Sequence, residues 1–172
     1  MSWTAREIVT SLQDPAPDLR PVMRELQRDA PPAELAAALA QAPDAQTRHL
    51  LCDIAGFAVV LEAVDPLVVA LADADVGVRS SAADALGKVA RYPGTRATHA
   101  DRARILAALV ERLGIEQDPA PLSTILQSIA LTGDATSAPL LEPYLTAEDS
   151  RVSGQARWGL DYLARGTAST AD

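Results

Sequence analysis

The stretch from Ala63 to Ala90, AVDPLVVALADADVGVRSSAADALGKVA, constrains the fold of this chain more than any other. Two helical patterns sit back to back in it. Val64, Leu67, Val68 and Leu71 are apolar at three-four spacing, and so are Val78, Ala82, Ala85, Leu86 and Val89. A short turn, Ala72 to Asp75, separates them. One such helix pair has two faces to bury and a single partner helix to bury them with, so neighbouring pairs must supply the rest.

The same turn recurs along the chain. An Asp followed by a second-helix pattern stands at Asp44, Asp75, Asp118 and Asp149, at spacings of 31, 43 and 31. A shift of 74 lays Leu67 on Leu141, Leu71 on Leu145, Val78 on Val152, Ala82 on Ala156, Leu86 on Leu160 and Ala90 on Ala164. A shift of 31 lays Arg48 on Arg79, Leu51 on Ala82, Ile54 on Ala85 and Gly56 on Gly87. The third copy, roughly Asp101 to Gly133, fits least well. Its turn is longer, no Arg follows Pro121, and only Ile125, Ile129 and Ala130 keep the core positions.

This wording resembles the HEAT repeat, in particular the bacterial HEAT-like repeats also found in bilin lyases. The residues that carry the resemblance are Leu67, Leu71, Asp73, Asp75, Val78, Arg79, Ala82, Ala85, Leu86 and Gly87. It implies an all-α fold, a right-handed α-solenoid (an alpha-alpha superhelix, ARM/HEAT-like) of stacked antiparallel helix pairs. The expected organisation is one domain over 1–165, with an N-terminal cap at 1–30, repeats at about 31–60, 61–92, 101–133 and 134–165, and a disordered tail at 166–172.

Composition agrees with that architecture. A hydrophobic content of 48% suffices for a continuous core, and with aromatics at 3% the core is built from Ala, Leu and Val, which suits closely packed helices. The single cysteine excludes an internal disulfide. No signal-peptide pattern and no membrane-length apolar run is visible, so a reducing, cytoplasmic setting is the expectation. The formal net charge of −8 repels phosphate backbones and disfavours nucleic acid as a generic partner.

Taken in order, Thr4 to Glu7 reads as a capping box, and the first helix, with Ile8, Val9 and Leu12, stops near Asp14-Pro15. A second begins at about Asp18, tolerates Pro21 in its opening turn and carries Val22, Met23 and Leu26. Helices over Ala33 to Gln41 and Ala45 to about Phe57 follow, and the apolar run Phe57 to Leu61 links them to the central pair. After Val89 comes an interruption, Tyr92 to Asp101, in which Pro93-Gly94 signals a turn and Asp101 is expected to cap a helix over Arg102 to Leu113. A helix over Pro121 to Thr132 stops at Gly133-Asp134. The final pair is expected at Ser137 to Leu145, with Pro143 as a kink, and at Asp149 to about Arg165.

In HEAT-like arrays the second helices line one side of the stack, so equivalent positions form rows. One row reads Asp53, Asp84, Gln127, Trp158; its neighbour reads Phe57, Lys88, Leu131, Tyr162; a third, His49, Ser80, Ser123, Gly154, is small enough to leave a groove. Trp158 stands where other copies carry Asp or Gln. Beside Arg157, it is either an anchor for a protein or peptide partner or, with Tyr162, a C-terminal cap on the stack. Between Lys88 and Arg104 five bases face one acid, either a solvated insertion or a patch for an acidic partner or a phosphate. The recurring Asp44/Arg48 and Asp75/Arg79 pairs read as helix caps and ties to the next turn, which is how the resembling family uses them. His49 and Cys52, three apart on one helix, have the spacing of a metal pair or activated thiol, but packing is the simpler reading.

No phosphate-cradling loop, His-Glu-x-x-His, Cys-x-x-Cys or Gly-x-Ser-x-Gly is present. The expected function is therefore a non-catalytic binding or scaffold module without metal or cofactor, which holds a protein or peptide on its second-helix face and has an exposed end suited to self-association. The candidate contacts are Trp158, Tyr162, Arg157, Asp53, Asp84, Gln127 and Lys88. An inhibitor or immunity-type protein that blocks its partner is an alternative. A HEAT-like enzyme, a bilin lyase or a DNA glycosylase, is a further one, and neither activity maps onto particular residues here.

Overall fold

A computed structural model describes residues 3–14, 18–92, 95–133 and 135–168. Among these, ten α-helices and no strand are found: α1 Ala5–Gln13, α2 Arg20–Asp29, α3 Pro32–Gln41, α4 Ala45–Phe57, α5 Val64–Ala70, α6 Val76–Arg91, α7 His99–Leu113, α8 Pro119–Thr132, α9 Ala138–Leu141 and α10 Ser150–Ala168. Short 3-10 turns occupy Leu61–Ala63, Ala135–Ser137 and Glu142–Thr146. No helix of the described residues is long and apolar enough to cross a membrane.

Caps set most of these boundaries. The Thr4 hydroxyl accepts from the Glu7 N–H while the Glu7 carboxylate accepts from the Thr4 N–H, closing the expected box. Asp44 and Asp75 cap α4 and α6, accepting from the backbone N–H groups of Thr47 at 2.8 Å and Val78 at 3.0 Å. Asp101 does not cap α7. Thr98 does, and Asp101 is the third residue of a second capping box, so the helix opens at His99, three residues earlier than expected. The first half of the final pair also departs from expectation: α9 is a single turn, and Pro143, which cannot donate to a continuing helix, sits in the 3-10 segment that replaces the rest. Helix α10 runs past Arg165 to Ala168. The Pro93-Gly94 turn, Pro15, Asp134 and the tail at 169–172 lie outside the described residues.

The even-numbered helices α4, α6, α8 and α10 form one layer, each packed on the next, with α3, α5, α7 and α9 against their own partners on the other side. The N-terminal pair continues both layers, α1 against α3 and α2 against α4. Between the layers lies a core whose largest fully buried members include Ile8, Leu26, Leu51, Ile54, Leu67, Leu86, Ile105, Leu109 and Ile125. Burying each such side chain stabilises the fold by about 1.5–3 kcal/mol.

Close backbone approach spaces the layer. A Cβ on Gly56 would stand 2.8 Å from the Ala85 Cα, and one on Gly87 would stand 2.7 Å from the Ser128 Oγ. The gap at Gly87 lets the Ser128 hydroxyl donate to the Ala83 carbonyl at 2.8 Å, a buried hydrogen bond from α8 to α6.

Arginines tie successive turns together. Arg48 on α4 makes a two-pronged pair with Asp73, at 2.6 and 3.1 Å, in the turn that precedes α6. Arg79, at the equivalent position of α6, pairs with Glu116 at 2.8 and 3.2 Å and with Asp118 in the turn before α8, while donating to the Asp73 carbonyl at 2.9 Å. The ladder stops there, because the next equivalent position is Leu122. The third and fourth pairs are joined instead by single hydrogen bonds, from the Tyr144 hydroxyl to the Leu113 carbonyl and from the Ser123 hydroxyl to the Arg151 carbonyl.

The link between α4 and α5 is a Schellman turn: the Val60 N–H donates to the Ala55 carbonyl and the Val59 N–H to the Gly56 carbonyl. Val59 itself sits at φ 54°, in the left-handed region that disfavours a β-branched side chain. Val59→Gly is expected to raise the unfolding free energy by about 1 kcal/mol, read by urea titration. Gly87→Ala is expected to lower it by about 1–3 kcal/mol through overpacking against Ser128. Gly154→Ala on the same scale is expected to gain about 1 kcal/mol, because nothing lies within 4 Å of the added methyl group and Ala is the better helix former.

Candidate functional site

In the layer of α4, α6, α8 and α10, several side chains of the expected rows are coupled to one another. The Asp84 carboxylate holds the Lys88 ammonium at 2.5 Å, one helical turn away. The same ammonium lies 3.7 Å above the centroid of the Phe57 ring, a cation–π contact from α6 to α4. Phe57 is 58% exposed. At the other end Trp158 stacks on Tyr162 with ring centroids 5.2 Å apart, and the Arg91 Nε donates to the Tyr162 hydroxyl at 3.3 Å. Gln127 on α8 is half-buried, and Arg157, next to Trp158 in sequence, is exposed.

Trp158 is 36% exposed, whereas the face of α10 turned to the core is filled by Val152, Ala156 and Leu163. Helix α10 therefore closes against α8 without the indole. Tyr162 is half-buried and packs on the core.

The third row does not form an open groove at its first step. The His49 ring reaches from α4 to α6, with Nδ1 2.9 Å from the Ser81 hydroxyl and 3.3 Å from the Gly77 carbonyl, and Nε2 3.8 Å from the Asp53 carboxylate. An imidazole between two helices is larger than the neighbouring Ser80, Ser123 and Gly154 suggest. His49 and Cys52 are not a reactive pair. Cys52 is fully buried, and burial, with Asp53 and Asp73 adding negative charge, pushes its thiol up to about 12, away from the thiolate a nucleophile or metal ligand needs. Among the described residues no three His, Cys, Asp or Glu side chains are grouped so as to hold a metal ion.

The basic stretch is largely engaged. Lys88 is held by Asp84, Arg104 pairs with Asp65, and Arg102 donates to the Ala90 carbonyl at 3.0 Å. Arg91 stands apart, bonded to a neutral phenol. It was not among the residues the rows single out, because its one-turn relation to Lys88 becomes informative only once Tyr162 is beside it. Arg20, Met23 and Arg24 were likewise read only as part of an N-terminal cap. With Gln27 and Phe57 they line an open depression at the start of the layer.

Glu116 is the carboxylate whose surroundings change its chemistry most. Burial works against its charged form, but the Arg79 hydrogen bonds, the Asp118 N–H and Arg112 at 2.7 Å together outweigh it and bring the carboxyl down to about 2. A carboxylate held this far down is an ion-pair acceptor and a poor proton carrier near neutrality.

No protein-family model matches the chain, and no curated protein matches it. Among solved structures it is similar to an engineered protein whose crystal structure comes from the Northeast Structural Genomics Consortium, with a TM-score of 0.60 over 94% of this chain and 80% of that one, at 19% sequence identity. At that identity the likeness bears on the helical fold alone.

A depressed carboxyl stabilises the folded state above its unfolded value and loses that contribution as pH falls through its folded one. Between an ordinary 4.5 and about 2, Glu116 accounts for on the order of 3 kcal/mol of acid sensitivity. Glu116→Gln is therefore expected to destabilise the protein at pH 7, by about 3–5 kcal/mol for leaving Arg79 buried with half its partners, and to flatten the loss of stability from pH 4.5 to 2. Thermal melts at pH 7 and from pH 4.5 to 2 check both.

Proposed function

We propose that this chain is a non-catalytic module that holds a protein or peptide partner on its second-helix face. In this reading the ten helices are a short HEAT-like array, a right-handed α-solenoid of four repeats on an N-terminal pair, working in the cytoplasm. The observation that carries the reading is Trp158. It is a large aromatic side chain left 36% exposed on a helix whose core-facing stripe is already complete, and it is held in one orientation by stacking on Tyr162. A preoriented indole offers contact area at little cost in side-chain ordering, which is what a binding anchor requires.

The layer beneath supports the same role. Helices spaced by backbone contact at Gly56 and Gly87 and locked turn to turn by Arg48 and Arg79 form a surface that needs little rearrangement on association. Asp53 and Asp84 then act less as free acidic contacts than as local partners of His49 and Lys88. Arg157 and Gln127 border the anchor.

Trp158→Ala separates an anchor from a cap. The expected result is a melting temperature within about 2 °C of the parent and at least tenfold weaker retention of a partner captured from cytosol with the intact chain as bait. A melting temperature lower by 10 °C or more with capture unchanged would assign Trp158 to the end of the stack and remove it from recognition.

A further inference from the structure

We infer that the second-helix face carries a built cleat for an extended acidic peptide. The cleat is a strip of cations and aromatic rings running from Arg24 on α2, through Phe57 on α4 and Lys88 and Arg91 on α6, to Tyr162 and Trp158 on α10. This rests on the reading of that face as the recognition surface.

Members of the strip follow one another by direct contact, by a shared depression or by one helical turn. Arg24 lines the depression beside Phe57, the Lys88 ammonium sits over the Phe57 ring, and Arg91 follows Lys88 by one turn on α6. Arg91 then reaches the Tyr162 hydroxyl, on which Trp158 is stacked. Along it Lys88 is neutralised by Asp84, whereas among the described residues no carboxylate forms an ion pair with Arg24 or Arg91. Two guanidinium groups are thus left to accept a carboxylate each, with planar donor forks suited to it. They stand on a protein of net charge −8, where cations set between exposed rings offer an acidic segment a local exception.

The rings supply the other half of the match. Phe57 is 58% exposed and Trp158 is 36% exposed, at opposite ends of the strip. Helices packed at about 8–10 Å put Arg24 and Trp158 about 32–40 Å apart across four steps, the reach of an extended segment of about ten to twelve residues at about 3.3 Å each. Successive side chains of such a segment point to opposite faces, so the face laid on the strip presents every second residue, and carboxylates and apolar groups must follow one another along that face to meet the cations and rings. A nucleic acid fits less well, because a strand of that span carries a phosphate at every nucleotide past Asp84, whereas a peptide can place its few carboxylates opposite Arg24 and Arg91 alone.

The test uses the full chain and three fluorescein-labelled probes read by anisotropy: a twelve-residue peptide whose every second position is in turn Glu and Leu or Phe with Ser at the positions between, the same peptide with Lys for Glu, and a twelve-nucleotide oligo-dT. The acidic peptide is expected to bind at least tenfold tighter than either other probe and to weaken as salt is raised to 0.5 M. The double variant Arg24→Glu/Arg91→Glu is expected to weaken it a further tenfold or more. Arg24→Gln/Arg91→Gln, which removes the charge without reversing it, shows the same direction if circular dichroism finds the first variant misfolded. Failure of the acidic peptide to bind, indifference to both variants, or tighter binding of oligo-dT overturns the inference. If the Lys peptide binds instead and Asp53→Lys/Asp84→Lys abolishes it, the acidic cleat is wrong while the second-helix face stands. If no probe binds and Trp158→Ala leaves cytosolic capture unchanged, both readings fall.

Discussion

The guanidinium of Arg79 ties the turn before its own helix to the turn before α8. It is only 7% exposed, reaches back to the turn before its own helix, and reaches forward to the Glu116–Asp118 turn before α8. Every donor it presents to the interior must find an acceptor, since an unpaired buried guanidinium costs several kcal/mol. The turn from 114 to 118 is therefore not free to take any shape between α7 and α8. It must bring Glu116 under Arg79, and in doing so it sets where α8 begins against α6.

The same requirement explains how the chain absorbs its one long interruption. Between Asp75 and Asp118 it carries 43 residues where the other spacings are 31, yet α6 and α8 meet as α4 and α6 do. The extra residues run out through Tyr92 and the following segment, where the Thr95 hydroxyl folds back on the Val89 carbonyl at 2.6 Å, and return through the Thr98 capping box. The layer is continuous because Gly87 and Ser128 leave room for close approach and Arg79 ties its own turn to the one before α8. Beyond α8, where Leu122 takes the arginine position, the last pair depends on apolar packing and single hydrogen bonds. There the first helix of the pair is also the least regular.

A face built this way inherits the chemistry of its edges. Helices that stop along one border of the layer present their last-turn side chains together, and here those are Phe57, Lys88 and Arg91, with Tyr162 of the longer α10 drawn in by Arg91. Cations at helix C-termini also favour the exposed carbonyl ends. An acidic protein thereby carries a basic, aromatic border without any basic run in its sequence that follows the border. The residues come from positions 20–24, 57, 88–91 and 158–162; the repeat aligns Phe57, Lys88 and Tyr162 in one row, but nothing in the string adds Arg24 or Arg91 to it.

How much was legible in advance follows from what each signal depends on. Asp44 and Asp75 as caps, Pro21 in an opening turn, and the α3–α4 and α5–α6 pairs were readable because they rest on interactions within a few residues. The link from Arg48 to the following turn was what the resemblance to HEAT-like repeats implied for the recurring Asp and Arg. Misplaced features were those where two local signals compete: Asp101 was read as a cap when Thr98, three residues earlier, offers the hydroxyl, and Pro143 was read as a kink where the helix gives way to a 3-10 segment. The row of small residues was read as a groove because residue size says nothing of reach, and the His49 ring crosses it.

By itself the sequence determined that the chain is helical, where most helices start and stop, which stripe of each is buried, and that Asp and Arg recur to cap and tie the turns. These are set by periodicity and by bonds between near neighbours, which a linear string records. Only the tertiary structure decided that Lys88 is shared between Asp84 and Phe57, that Arg91 reaches Tyr162, that Glu116 is buried under two arginines, and that Trp158 lies off the stripe that closes the core. Each of these depends on the angle and spacing at which one helix lies on the next, and that is settled by packing across residues tens of positions apart.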